Sequence, residues 1–86
     1  MQVDYSKTFD KQFEKLPRKS QERAQSAIAS FLSDPADKKL RNHALKGQWR
    51  GHNSISAGGD LRLHFRMLGE MHILFVAVGT HSQLYK

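Results

Sequence analysis

Asp60, Arg62, His64 and Arg66 occupy alternate positions of one segment, with Leu61, Leu63 and Phe65 between them. Residues two apart share one face of a strand, so this segment predicts a strand with an apolar face and a row of ionisable groups opposite. Further on, a second apolar strand leads into Gly79-Thr80-His81-Ser82-Gln83-Leu84-Tyr85. If strand parity carries through a bend at Gly79, His81 and Tyr85 project to the side of Asp60, Arg62 and Ala77. That would gather an imidazole, a phenol, a carboxylate and a guanidinium at one end of a sheet. Cleavage of RNA by its own 2′-OH needs groups of these kinds. A base takes the hydroxyl proton, cations stabilise the charged phosphorane, and an acid protonates the departing 5′-oxygen. Imidazole titrates in the useful range and no metal is required. The same pattern also fits a polar, solvated sheet face with ordinary capping residues.

Other chemistries fit less well. The five histidines, His43, His52, His64, His72 and His81, include no His-x-x-x-His pair, there is no cysteine, and alternation sets His72 away from His64. Neither a metal site nor a cofactor is therefore expected. Ser54, Ser56 and Ser82 lie outside any Gly-x-Ser-x-Gly elbow and read as hydrogen-bonding hydroxyls. Gly58, Gly59 and Gly69 precede no helix and read as turn residues rather than a phosphate-binding loop. Around His43 runs a basic stretch, Lys38, Lys39, Arg41, Lys46 and Arg50, which fits either a solvated loop or an edge that tracks a phosphate backbone.

Fourteen Lys and Arg against eight Asp and Glu give the 86-residue chain a net charge of +6. Such a field calls for anionic partners: nucleic acid, an acidic protein or a membrane surface. The length bounds the chain to one domain, residues 1–86, sharing one core. No apolar run approaches the ~20 residues that span a bilayer, and no basic-then-apolar leader opens the chain. With no cysteine, these features predict a cytoplasmic protein without a membrane partner.

The elements that must position these groups follow from periodicity. Val3 and Tyr5 suit a short first strand. Ser6 caps a helix carrying Phe9, Phe13 and Leu16, ended by Pro17; a second helix over about Arg18–Ser33 buries Ala24, Ile28, Phe31 and Leu32, and Asp34-Pro35 closes it. Residues Ala36 to Lys46 read as a connection. From Gln48 the period becomes two, with Trp49 and Ile55 facing the core and Arg50, His52, Ser54 and Ser56 facing outward. A three-residue Ala57-Gly58-Gly59 loop then pairs Ser56 with Asp60, Ser54 with Arg62, His52 with His64 and Arg50 with Arg66. A Gly69-Glu70 turn sets Phe65 against Leu74, Leu63 against Val76 and Leu61 against Val78. The expected fold is α+β: a short N-terminal strand and a helical hairpin packed on one face of an antiparallel sheet whose other face is basic and carries histidines.

His43-Ala44-Leu45-Lys46-Gly47-Gln48-Trp49-Arg50-Gly51, Gly59-Asp60-Leu61-Arg62 and Gly79-Thr80-His81-Ser82-Gln83-Leu84-Tyr85 together resemble the RelE/ParE superfamily of bacterial toxins, in particular its YafQ-like branch. The helical hairpin and antiparallel sheet extend the resemblance over essentially the whole chain. What it implies is the toxin of a type II toxin-antitoxin system, a ribosome-dependent endoribonuclease that cleaves mRNA in the A site. A cognate antitoxin would neutralise it, in a possible toxin-antitoxin hetero-oligomer. By the same resemblance the functional histidines match His43 and His81, the functional Asp matches Asp60, and the C-terminal aromatic matches Tyr85; Arg62 stands where related toxins use a strand Arg. Ser56 occupies a position where YafQ-like toxins often carry a further histidine, which leaves acid-base duty to His52, to His64, or to His81 and His43 alone. Lys46, Arg50, His52, His64 and Arg66 complete an expected RNA-binding face. Two other readings stand beside the nuclease: a ParE-like toxin that poisons gyrase without cutting RNA, and an inactive paralogue that only binds an antitoxin.

Overall fold

The computed structural model describes residues 1–85. The elements run β1 (Gln2–Tyr5), α1 (Lys7–Lys15), α2 (Arg18–Ser33), β2 (His43–Ala44), β3 (Asn53–Ser56), β4 (Leu61–Gly69), β5 (His72–Thr80) and α3 (His81–Leu84), with single 3-10 turns at Lys38–Leu40 and Gly47–Trp49. The five strands form one sheet in the order β1-β5-β4-β3-β2. Strands β2 to β5 are antiparallel neighbours, and β1 joins the edge parallel to β5. The α+β architecture is the expected one, and the parallel edge strand makes the sheet mixed. Among the described residues no helix is long and apolar enough to cross a membrane.

The helical hairpin forms as its sequence dictates. Ser6 Oγ accepts the Phe9 N–H at 3.0 Å, an N-cap that satisfies one of the first-turn donors. Pro17 separates the helices, and Gln21 Nε2 donates to the Phe13 carbonyl, tying one helix to the other. Phe9, Ala24, Ala27, Ile28 and Phe31 then meet Ile55, Leu61, Leu63, Phe65, Ile73, Phe75 and Val78 of the sheet in one core. Beyond Tyr5 the β5 edge has no neighbouring strand. There α1 and its N-cap supply the missing partners: Gln12 Oε1 accepts the Val78 N–H at 2.9 Å, and Ser6 Oγ donates to the Val76 carbonyl. Leu32, expected in the core, is 43% exposed.

The hairpin registers differ from expectation. Ser56 pairs with Arg62 and Ser54 with His64, two residues away from the predicted pairing. Gly58 and Gly59 both adopt positive φ, which draws Asp60 into the turn and closes it with an Ala57 N–H to Leu61 carbonyl bond. A shift of two keeps parity, so Leu61, Leu63 and Phe65 stay inside. In the second hairpin the turn is Glu70-Met71, and Phe65 pairs with Phe75, Leu63 with Val78 and Leu61 with Thr80. Bulges at Leu68 and Val76 absorb the odd offsets, and the one at Val76 lets both Phe75 and Val78 face the core. Residues 43–44, expected in a connection, form the edge strand β2. Trp49, expected as a core strand residue, lies in the 3-10 turn, half-buried on the opposite side of the sheet.

Candidate functional site

Directly paired residues lie on the same face, so the registers place His43, Ser54, His64 and Ala77 in one row across β2, β3, β4 and β5, on the side away from the helices. The neighbouring row is Ser56, Arg62 and Gly79. α3 folds back over this end. Thr80 Oγ1 accepts the Gln83 N–H at 3.2 Å while Gln83 Oε1 accepts the Thr80 N–H at 2.9 Å, a reciprocal capping box that starts the helix at His81. A side chain at Gly79 would put its Cβ 2.8 Å from Gln83 Oε1 and push the Gln83 carboxamide out of the capping box.

The result is a connected set of rings. His81 stacks on Tyr85 with centroids 4.5 Å apart, Tyr85 meets His64 edge-on at 5.6 Å, His64 meets Trp49 edge-on at 4.3 Å, and Trp49 meets His52 at 5.3 Å. Trp49 Nε1 donates to the Leu84 carbonyl at 3.0 Å, joining the 3-10 turn to α3. His81 is exposed at the mouth of this set; His64 lies at its floor with 0% exposure. Burial, and then the neighbouring His52, His43 and His81, push the His64 pKa down to about 4. It is therefore neutral at physiological pH, and both of its ring nitrogens are buried without a partner among the described residues.

The expected site residues divide into three groups. His81, Tyr85, His64 and His52 come together through the rings, whereas His43 shares only their cross-strand row, two strands from His64 on the exposed edge, its Nδ1 2.8 Å from the Arg41 carbonyl. Arg62 lies beside them with Nη1 donating to Ser56 Oγ at 3.3 Å, the Gly59 carbonyl at 2.9 Å and the Leu61 carbonyl at 3.0 Å, so Ser56 helps hold the guanidinium. Lys46 and Arg50 flank the Trp49 turn and Arg66 continues the β4 row, all exposed, as a basic rim. Asp60 is set apart: its carbonyl accepts the His81 N–H at 3.1 Å, while the residue lines a groove with Gln12, Lys15, Ser20, Arg23 and Gln83 on the helical side. Among the described residues no cluster of three or more His, Cys, Asp or Glu could hold a metal ion. Trp49 is the functional candidate that sequence parity misplaced; the signal that could have found it was Gly47 and Gly51 on either side, which mark a turn rather than a strand.

The whole chain, residues 1–86, matches the model of the bacterial toxin of type II toxin-antitoxin systems, YafQ. No curated protein matches it significantly in sequence. Among solved structures, YafQ from E. coli strain BL21(DE3) superposes with a TM-score of 0.83 at 18% identity, covering 98% of this chain and 97% of that one. YafQ in the E. coli DinJ-YafQ toxin-antitoxin complex gives 0.79 at 18% identity over 98% and 96% of the two chains. The YoeB/ParE toxin from Agrobacterium tumefaciens gives 0.77 at 16% identity over 94% and 99%. At such identities these likenesses establish a shared RelE/ParE-type fold. The match of the family model over the full chain establishes more: the protein belongs to the YafQ family of type II toxins.

Proposed function

We propose that the protein is a metal-independent, ribosome-associated endoribonuclease that cleaves mRNA by attack of the ribose 2′-OH on the adjacent phosphate. The observation that carries this reading is the exposed His81, stacked on Tyr85 at 4.5 Å, at the end of a sheet face that also presents Arg62. Stacking on the phenol ring restricts the imidazole to few orientations, which a proton-transfer group needs. His81 moves a proton to or from the reacting oxygens, and Arg62 stabilises the charge that develops on the phosphorane. Among the described residues all three Arg62 hydrogen bonds run through Nη1, so Nη2 and Nε are left for an incoming phosphate. His43 supplies a second imidazole from the edge strand, and Lys46, Arg50 and Arg66 hold the backbone of the RNA. Asp60 acts through its carbonyl bond to the start of α3, which sets where His81 stands.

The neutralising partner is a cognate antitoxin, as DinJ is paired with YafQ in the E. coli complex; the net charge of +6 suits an acidic one and speeds encounter. The test is cleavage of a defined message on programmed ribosomes. Cuts that cease in His81→Ala, persist in EDTA and leave 2′,3′-cyclic phosphate ends support the reading. Full activity in His81→Ala, or loss of activity with EDTA, contradicts it.

A further inference from the structure

His64 is out of place as a purely structural residue. It is 0% exposed, and among the described residues both ring nitrogens lack partners, so that the one carrying the proton donates to none of them. Leucine would fill similar space without that cost. Covering it is Trp49, 4.3 Å away between centroids, on a short segment whose flanking Gly47 and Gly51 have φ of 64° and 90° and open space around them. A side-chain bond ties the indole down, Nε1 to the Leu84 carbonyl at 3.0 Å. The ingredients are a cover on two glycines, one tether, and an unsatisfied buried donor and acceptor beneath. Lys46 and Arg50 at the ends of the cover, with Tyr85 as the opposite wall, add cations and a second aromatic surface. Aromatic walls with a cationic rim suit an unstacked base of single-stranded RNA, and a neutral imidazole can offer the edge of that base one donor and one acceptor.

We propose that residues 46–51 form a flap which lifts Trp49 away from His64 and admits an RNA nucleobase, so that the base lies between Trp49 and Tyr85 with its edge hydrogen-bonded to His64. Opening costs the indole bond; the incoming base replaces it and satisfies His64. This pocket rests on the nuclease reading, and it assigns His64 to base selection rather than to proton transfer.

Trp49 is the chain's only tryptophan, so its emission reports the flap without any need for activity. A short 2′-O-methyl RNA, which lacks the nucleophile, is titrated into the purified protein while binding is followed by the anisotropy of a dye on the RNA. The expected result is a change in Trp49 emission and greater quenching by acrylamide, both saturating together with binding. His64→Leu, with an unchanged far-ultraviolet circular dichroism spectrum, should reduce discrimination among the four bases by about tenfold. Trp49→Phe keeps an aromatic wall but removes the tether, and should bind RNA at least as tightly as the wild type. Unaltered Trp49 emission at saturation, unchanged base preference in folded His64→Leu, or loss of binding in Trp49→Phe overturns the pocket. Cleavage on programmed ribosomes, run in parallel, separates the two claims: cutting with a silent Trp49 sinks only the pocket, whereas no cutting and no binding sink both.

Discussion

Replacing His64 with leucine should make the protein more stable and less sensitive to acid. The wild-type imidazole is fully buried, its nitrogens have no partners among the described residues, and its pKa drops from 6.5 to about 4. From about one pH unit above 6.5 neither the folded nor the unfolded chain holds the proton, and His64 adds no pH dependence there. As the pH falls the unfolded chain takes the proton first, so folding free energy is lost progressively down to about pH 4. Each tenfold in proton affinity is about 1.4 kcal/mol, so the full loss from this one residue is about 3 kcal/mol. In His64→Leu that loss disappears. At pH 7 the variant should also gain about 1–3 kcal/mol, because an unsatisfied buried donor and acceptor are exchanged for apolar packing beside Trp49 and Tyr85. Urea unfolding of both proteins at pH 7, 6, 5 and 4.5 measures this, with the difference between them isolating His64 from every other titrating group. Parallel stability curves across that range would refute the reasoning, since they would mean that His64 is already paired or already solvated in the native state.

Three further outcomes follow from the site. His81→Ala should lower single-turnover cleavage by about 10² to 10⁴-fold, the usual contribution of a positioned acid or base; Arg62→Ala should be comparably damaging, with Arg62→Lys recovering part of the rate because a point charge cannot make two parallel bonds to phosphate. Replacing Lys46 and Arg50 together with alanine should flatten the dependence of RNA or ribosome binding on salt, as two fewer phosphate contacts release fewer counterions; an unchanged slope measured by filter binding would place the RNA elsewhere on the surface. Gly79→Ala should break the Thr80–Gln83 capping box through the 2.8 Å approach to Gln83 Oε1, costing about 1–2 kcal/mol in thermal or chemical unfolding and reducing cleavage because α3 carries His81.

The helices were legible because their signals are local: Ser6 as a cap, Pro17 as a break and the 3.6-residue spacing of Phe9, Phe13 and Leu16 need nothing from the rest of the chain. The inward and outward faces of β4 were legible for the same reason, since alternation survives any even change of register. What could not be read were the odd ones. The bulges at Leu68 and Val76 leave no mark in a run of apolar residues, yet they decide which β5 residue opposes His64. Gly58 and Gly59 announced a turn but not that it would take Asp60 out of the strand, and Asp60 therefore lies toward the helical side instead of in the row with Arg62. The burial of His64 was hidden because it depends on Trp49, which arrives from a turn rather than from a neighbouring strand.

The central claim is that this toxin acts by cutting messenger RNA through His81. The most direct measurement is induction of the wild type and of His81→Ala in bacteria, followed by mapping of mRNA 5′ ends across the transcriptome. Cuts in phase with codons in the wild type, absent from the variant and with chromosomal DNA intact, are the predicted result. Growth arrest with uncut messages and broken or relaxed DNA would contradict it and point to gyrase as the target.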